Sequence, residues 1–330
     1  MHCHVLIPGL PLLPIAGQRA VQGPALEILL ARGSSKKLEI DNPRAWLCRS
    51  FGVANFDDPP IAALTLLADG GSPGGGYWLR SDPVHFALQR NRMLIYDSAF
   101  FAISSGEAQQ LVEALDTHFL DLRLCFTAPS PTRWYMRSPE RPRLRTHPLP
   151  EVVGRDVCDH MPSDTHAARW HGILNEIQMV LNNHPVNARR EARSEPAINS
   201  VWLWGGGLLP ESLNSRYDHV WANDVLARGL AAASNTPWAP LPELRTVLAA
   251  RATNPLIVLD APQPASAQIA QWTAQLEREW IAPLKRELAC GRLAGLSLYL
   301  IGTGSAVGVE IRGGDLWKLW RRRPALPGIV

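Results

Sequence analysis

Short apolar runs that break off at glycine or proline are the feature that most narrows what this chain can fold into. Val5-Leu6-Ile7 stops at Pro8-Gly9, Ser200-Val201-Trp202-Leu203-Trp204 runs into Gly205-Gly206-Gly207, and Leu296 to Ile301 opens into Gly302-Thr303-Gly304-Ser305. Leu256 to Leu259 is a fourth such run. Runs of this length without polar alternation read as strands buried on both faces. Helical periodicity lies between them. Pro24 to Arg32, followed by Gly33, reads as a short helix, and Ile61 to Leu67 as another entered through Pro59-Pro60. Ser104 and Glu107 have capping-box spacing ahead of Leu111, Leu115 and Phe119 on one face. Trp170, Ile173, Leu174, Ile177, Val180 and Leu181 form a longer stripe that His184-Pro185 ends. Ile269, Trp272, Leu276, Trp280 and Leu284 mark a further helix, which Pro283 should kink or split. Strands separated by helices predict an α/β fold with a mostly parallel sheet covered on both faces.

The remaining segments are less regular. Met93 to Tyr96 and Trp134 to Met136 read as short strands, Ser72 to Gly76 as a linker, and 127–165 as a proline- and arginine-rich irregular stretch. The tail, Asp315 to Arg323, reads as a terminal helix whose Trp317 and Trp320 pack on the core; the competing reading docks them on a membrane surface or a partner.

At 330 residues, with 46% hydrophobic and 19% charged residues, the chain can bury a sizeable core and is far from a disordered composition. A net charge of +3 does not imply a nucleic-acid-binding surface. The five cysteines are scattered, with no Cys-x-x-Cys pair, so neither a zinc ribbon nor a disulfide framework is supported. The apolar start has no basic leader and is interrupted by Pro8, Pro11 and Pro14; it reads as a strand and loop, not a signal peptide. No run reaches the roughly 20 apolar residues of a membrane span. A reducing, cytoplasmic compartment is the expectation.

Several groupings carry possible chemistry. His2 and His4 would share one face of a strand, so a metal pair is conceivable, but no third ligand is evident. Asp82 and His85 could join Ser81 or Ser305 in a nucleophilic arrangement, or be structural. Gly205-Gly206-Gly207 could cradle an anion on main-chain N–H groups, or simply form a tight turn. Arg133, Arg137, Arg141, Arg143 and Arg145 surround Trp134 and Tyr135, which suits a phosphate chain or a solvated loop. The densest polar cluster combines Asn175, Glu176 and Gln178 with His184, Asn187 and Arg190, as a pocket wall or a buried network.

One segment is far more specific. HPVNARREARSEPAINSVWLWGGG, from His184 to Gly207, resembles the "HPVN-x-x-R … AN-x-IW-x-WG-x-G" signature of archaeal-type cofactor-independent phosphoglycerate mutases, a branch of the alkaline-phosphatase superfamily. Ile103 to Ala108, followed by Leu111 and Leu115, is similar to that family's "I-S-x-E-E-A" helix start. The NEIQM run at 175–179, HPVN and NSVWLWGGG also stand in the order found in proteobacterial RpfE-type regulatory proteins, a still closer likeness. The resemblance implies an alkaline-phosphatase-like core with an inserted α+β domain. It further implies two divalent metals on aspartates and histidines, and a serine nucleophile. The matching positions depart from that pattern. Pro8-Gly9 stands where the first strand should end in an aspartate, and Asp58-Pro59-Pro60 where the nucleophile turn should be, with Asp57 adjacent. Asp260 survives, but Pro264 replaces the histidine, and Gly302 to Ser305 occupies the place of an Asp-His pair. The stretches matching the family's substrate-binding arginines, His85 to Ala87 and Asp97 to Phe101, are mostly apolar.

The expectation is therefore a core formed by 1–75 and 195–330, with 76–194 inserted as a transferase-like domain. The expected function is that of a catalytically degenerate mutase-like protein, regulatory or binding a small phosphorylated or carboxylated metabolite, with a protein partner also possible. An active mutase or phosphatase with relocated ligands, and an interaction module with a vestigial cleft, are the alternatives. No catalytic residue, metal or other cofactor is expected. The ligand-binding candidates are His184, Asn187, Arg190, Asn199, Gly205, Gly206 and Gly207.

Overall fold

The structure, a computed structural model, describes all residues except 10–22, 41, 54–57, 143, 166, 262–265, 303–304 and 322–330, and only the main chain of 266–268 and 305. Pro11, Pro14, Asp57, Arg143, Pro264, Thr303, Gly304, Arg322 and Arg323, all singled out above, lie outside the described residues, as does the side chain of Ser305. The strands in chain order are β1 (His2–Pro8), β2 (Ser34–Lys37), β3 (Tyr77–Gln89), β4 (Arg92–Tyr96), β5 (Cys125–Ser130), β6 (Arg133–Ser138), β7 (Ser200–Gly207), β8 (Val220–Ala222), β9 (Trp238–Ala239), β10 (Leu256–Val258), β11 (Gly295–Gly302) and β12 (Ser305–Ile311). The helices are α1 (Pro24–Arg32), α2 (Pro43–Ser50), α3 (Ile61–Ala68), α4 (Ser105–His118), α5 (Leu149–Val152), α6 (Ala167–Asn182), α7 (Pro185–Ala192), α8 (Val225–Ala233), α9 (Leu244–Ala249), α10 (Ser266–Leu276) and α11 (Ala282–Ala289). They fall into two compact units, Met1–Ala54 with Ser212–Val330, and Asn55–Glu211.

The first unit holds a seven-stranded sheet in the order β2-β12-β11-β1-β10-β8-β9. β1 pairs in parallel with β10 and β11, and β8 in parallel with β10 and β9; β12 runs antiparallel to both its neighbours, β11 and β2. The apolar runs explain this. Cys3, Val5, Leu6 and Ile7 of β1 and Leu296, Leu298, Leu300 and Ile301 of β11 are all buried, as strands covered on both faces must be. Pro283 acts through the N–H it lacks: a π-helical turn at Glu277–Ile281 separates α10 from α11. That turn has a further use. Glu277 accepts hydrogen bonds from the N–H groups of Ala25 and Leu26 at 2.5 and 3.2 Å, capping the start of α1, whose own Gly23 has no side chain to do so.

The tail is not the expected terminal helix. It forms one 3-10 turn, Gly313–Trp317, in which Leu316 is buried and Trp317 exposed; Trp320, beyond the turn, is exposed as well. Gly313 and Gly314 open the segment, so the helical stripe lacks the residues to nucleate a longer helix.

The second unit is an antiparallel sheet, β4-β3-β6-β5, with β7 also paired to β3. It is wider than 76–194, because β7 pairs with the 13-residue β3 and α3 packs against both strands. α4 and α6 cover the sheet through a shared core that includes Leu111, Leu115, Phe119, Ile173, Ile177 and Leu181. The Ser104–Glu107 capping box is formed as the spacing predicts.

Candidate functional site

All seven binding candidates lie in the Asn55–Glu211 unit, but the fold does not bring them together. Asn199 precedes β7 and Gly207 ends it, a separation of roughly 25 Å along an extended strand. His184 is the N-cap of α7, its Nδ1 accepting from Val186 N at 3.2 Å. Burial and the nearby Arg189 guanidinium lower its pKa, so the ring is neutral near pH 7 and suited to accept that bond. Asn187 is buried. Its Nδ2 donates to the carbonyls of Leu181 and Ile198, each at 2.8 Å, and its Oδ1 accepts from Ile198 N at 2.8 Å. Asn199 bridges to β3 by a reciprocal pair with Phe86, accepting from its N–H at 2.8 Å and donating to its carbonyl at 2.9 Å. These amides replace main-chain pairing at the α6–α7 corner and at the entry to β7, where buried peptide groups would otherwise lack partners.

Arg190 is only 1% exposed. Its Nε and NH2 atoms donate to the carbonyls of Pro196 and Ala102 at 2.8 and 2.9 Å, and NH1 donates to Glu107 Oε1 at 3.1 Å. Glu107 is the same residue that closes the α4 capping box. Burial alone would raise its carboxyl, but the Ser104 N–H and hydroxyl and the Arg190 guanidinium pull it down to about 2. A hollow of about 590 Å³ opens beside this pair, with Ser104, Arg189, Arg190, Arg193, Glu107 and Glu195 in its wall. Three arginines face two glutamates there, leaving one positive charge in excess.

The three glycines are in the strand itself, Gly205 and Gly207 against the start of α3 and Gly206 against Tyr77 of β3. A Cβ on Gly206 would lie 2.5 Å from the Tyr77 hydroxyl, and one on Gly207 2.7 Å from Pro60 Cα. Gly205 has a φ of +61° and faces Ile61. Close approach of protein, rather than room for a ligand, requires glycine here.

A second polar cluster was not anticipated from the sequence. Arg80 and Asp82, both buried on β3, pair through Nε and NH2 to Oδ1 at 3.0 and 2.6 Å, and Trp204 Nε1 donates to Asp82 Oδ2 at 2.8 Å. The guanidinium lies 5.2 and 5.3 Å from the Tyr135 and Trp204 ring centroids. Tyr135 and Arg133 in turn bond Asp69, at 2.7 Å from the phenol and 2.7 and 2.8 Å from the guanidinium. Alternation of polar residues in β3 was the available signal, but it points to solvent unless the partners on β6 and β7 are known. Ser81, Asp82 and His85 do not assemble: His85 Nδ1 meets Ala197 O at 2.7 Å, while Ser81 is fully buried.

Asp58 precedes α3, separated from it by Pro59-Pro60. Burial pushes its carboxyl up to about 6, and the Thr146 hydroxyl, donating at 2.5 Å, offsets only part of that cost. Thr146 also accepts from Gly205 N at 3.3 Å.

The two metals implied by the resemblance need several carboxylate or imidazole groups converging at strand ends. In the first unit, β1 ends in Pro8 and a left-handed Gly9, and β11 ends in Gly302. Asp260 is exposed and accepts from Asn223 at 2.9 Å. His2 and His4 do share a face of β1, their rings 4.8 Å apart, but they bond Ser297, Tyr299 and Asn254, and burial holds His4 down to about 4. Among the described residues no three His, Cys, Asp or Glu side chains are grouped to hold an ion. The described residues do not fit a two-metal centre.

Comparison with known proteins agrees with this architecture. The family profile described as 2,3-bisphosphoglycerate-independent phosphoglycerate mutase matches residues 80–187. The mutase of Methanosarcina barkeri is 25% identical over 203 residues, 58% of this chain and 50% of that protein. A second mutase, from Methanothermobacter thermautotrophicus, is 32% identical over 120 residues, 35% of this chain and 30% of that protein. The chain thus spans about half the length or less of these curated relatives. The cofactor-independent mutase structure from Thermoplasma acidophilum superposes with a TM-score of 0.50 at 14% identity, covering 95% of this chain and 90% of that one. The chain is therefore phosphoglycerate-mutase-like: it is similar in sequence to the cofactor-independent mutases, whose family profile matches within its antiparallel unit, and it shares the mixed α/β fold of the mutase structure.

Proposed function

We propose that this protein does not carry out metal-dependent phosphoryl transfer and acts as a regulatory protein that binds a small phosphorylated or carboxylated metabolite. The donor set carries the reading: proline and glycine end β1, glycine ends β11, and Asp260 is left with an amide partner. Two-metal catalysis stabilises charge on the transferring phosphoryl through several ligands per ion, and among the described residues no such group of carboxylates and imidazoles is assembled. The profile match at 80–187 supports the same division, since it falls within the antiparallel unit and outside the strands where the family's metal ligands would stand.

For the metabolite, the hollow beside Arg190 is the place in that unit whose charge suits an anion. Arg189 is exposed on its rim and donates to the neutral amide of Gln110 at 2.9 Å, so its planar donor fork can serve a phosphate or carboxylate. Metal analysis of chelator-treated protein re-equilibrated with manganese or zinc should give well under one equivalent per chain, and 3-phosphoglycerate should not be converted. Near two equivalents, or metal-dependent mutase activity, would overturn the reading. A melting-temperature screen should find phosphorylated or carboxylated metabolites that stabilise the wild type and not Arg189→Ala.

A further inference from the structure

The tail of the first unit is held in place by its main chain and presents its largest side chains to the outside. Leu316 enters the core, and its carbonyl accepts from Arg32 at the end of α1. Arg312 N and Asp315 Oδ2 close the turn at 2.8 Å, and Lys318 Nζ bonds Asp315 Oδ1 at 2.6 Å. Beyond the turn, Arg321 NH1 donates to Gly33 O at 3.0 Å, fastening the segment to the other side of the α1 terminus. Between these anchors Trp317, Leu319 and Trp320 are 76, 67 and 77% exposed. Fixed main chain with three large apolar side chains outward is a surface, not a fraying end. Arg32 and Arg321 border it, Lys318 is paired with Asp315, and the sequence continues with Arg322 and Arg323.

We propose that residues 313–321 dock this protein on an anionic lipid surface. Tryptophan is suited to the headgroup layer, where its apolar ring is buried and its N–H stays hydrated. Leu319 adds apolar area, and the cations meet lipid phosphates and carboxylates. A second copy of this chain is the poorer occupant, because a two-fold contact sets the same arginines against each other. Among the described residues no helix is long and apolar enough to cross a membrane, so the contact is peripheral.

The test is flotation of the full chain with vesicles of phosphatidylcholine alone, or of phosphatidylcholine mixed equally with phosphatidylglycerol. The wild type should float with the mixed vesicles, sediment with the neutral ones, and be released by high salt. The Trp317→Ser/Trp320→Ser double variant should lose at least about tenfold in partitioning, with an unchanged melting temperature because both rings are exposed. Failure of the wild type to bind the mixed vesicles, or equal binding by the double variant, would overturn the proposal. So would wild-type self-association that the double variant abolishes without any lipid binding.

Discussion

Asp58 offers a direct reading of what burial does to a carboxylate in this fold. Its carboxyl titrates near 6 instead of 3.8, chiefly because burial penalises the ion, and the Thr146 hydroxyl recovers only part of the loss. The folded chain therefore holds a proton that the unfolded chain releases between those two values. The contribution of Asp58 to wild-type stability should fall as pH rises from about 4 to about 6 and then level off, the full loss from this one group being up to about 3 kcal/mol. Asp58→Asn keeps the shape and an acceptor for Thr146 but carries no charge. It should match the wild type at about pH 4, where both side chains are neutral, and exceed it by about 1–3 kcal/mol at about pH 8. Urea unfolding of both proteins at the two pH values, followed by tryptophan fluorescence, gives the comparison. A variant that loses the same stability at both pH values would refute the reasoning, since Asp58 would then be valued as an ordinary hydrogen-bonding group.

Arg80→Met should cost about 3–5 kcal/mol in the same assay by leaving Asp82 charged and buried, whereas Arg80→Met/Asp82→Leu should recover much of that loss. Asn187→Ala should lower stability by about 2–3 kcal/mol, because the peptide groups of Leu181 and Ile198 lose buried partners; an unchanged melt would argue against its fastening role.

Much of the chain was legible before any contact was known. The capping box at Ser104 and Glu107, the stripe of α6 and the apolar runs of β1, β7, β10 and β11 depend on neighbours in sequence or on a simple period, and they appear where the pattern puts them. Pro283 belongs to the same class, since a missing N–H disturbs a helix whatever surrounds it. The candidate site was legible as a segment but not as an arrangement. The His184–Gly207 motif marks residues that matter, yet the bonds of Asn187 and Arg190 run to main-chain atoms at 181, 198, 196 and 102. No spacing rule separates such a fastening from a binding pocket.

The sequence by itself determined the alternation of strands and helices, and with it the parallel sheet, because hydrophobic period and capping chemistry act over a few residues. Tertiary structure alone decided where polar and aromatic side chains ended up. Asp82 reads equally as a candidate for a nucleophilic arrangement or as structural until Trp204, 122 residues further on, and Tyr135 arrive to satisfy and cover its ion pair with Arg80. Trp317 and Trp320 read as core until Arg32 and Arg321 hold the main chain with those rings outward. The free energy of burying a charge or exposing an indole is settled by partners distant in sequence, and only the assembled fold supplies them.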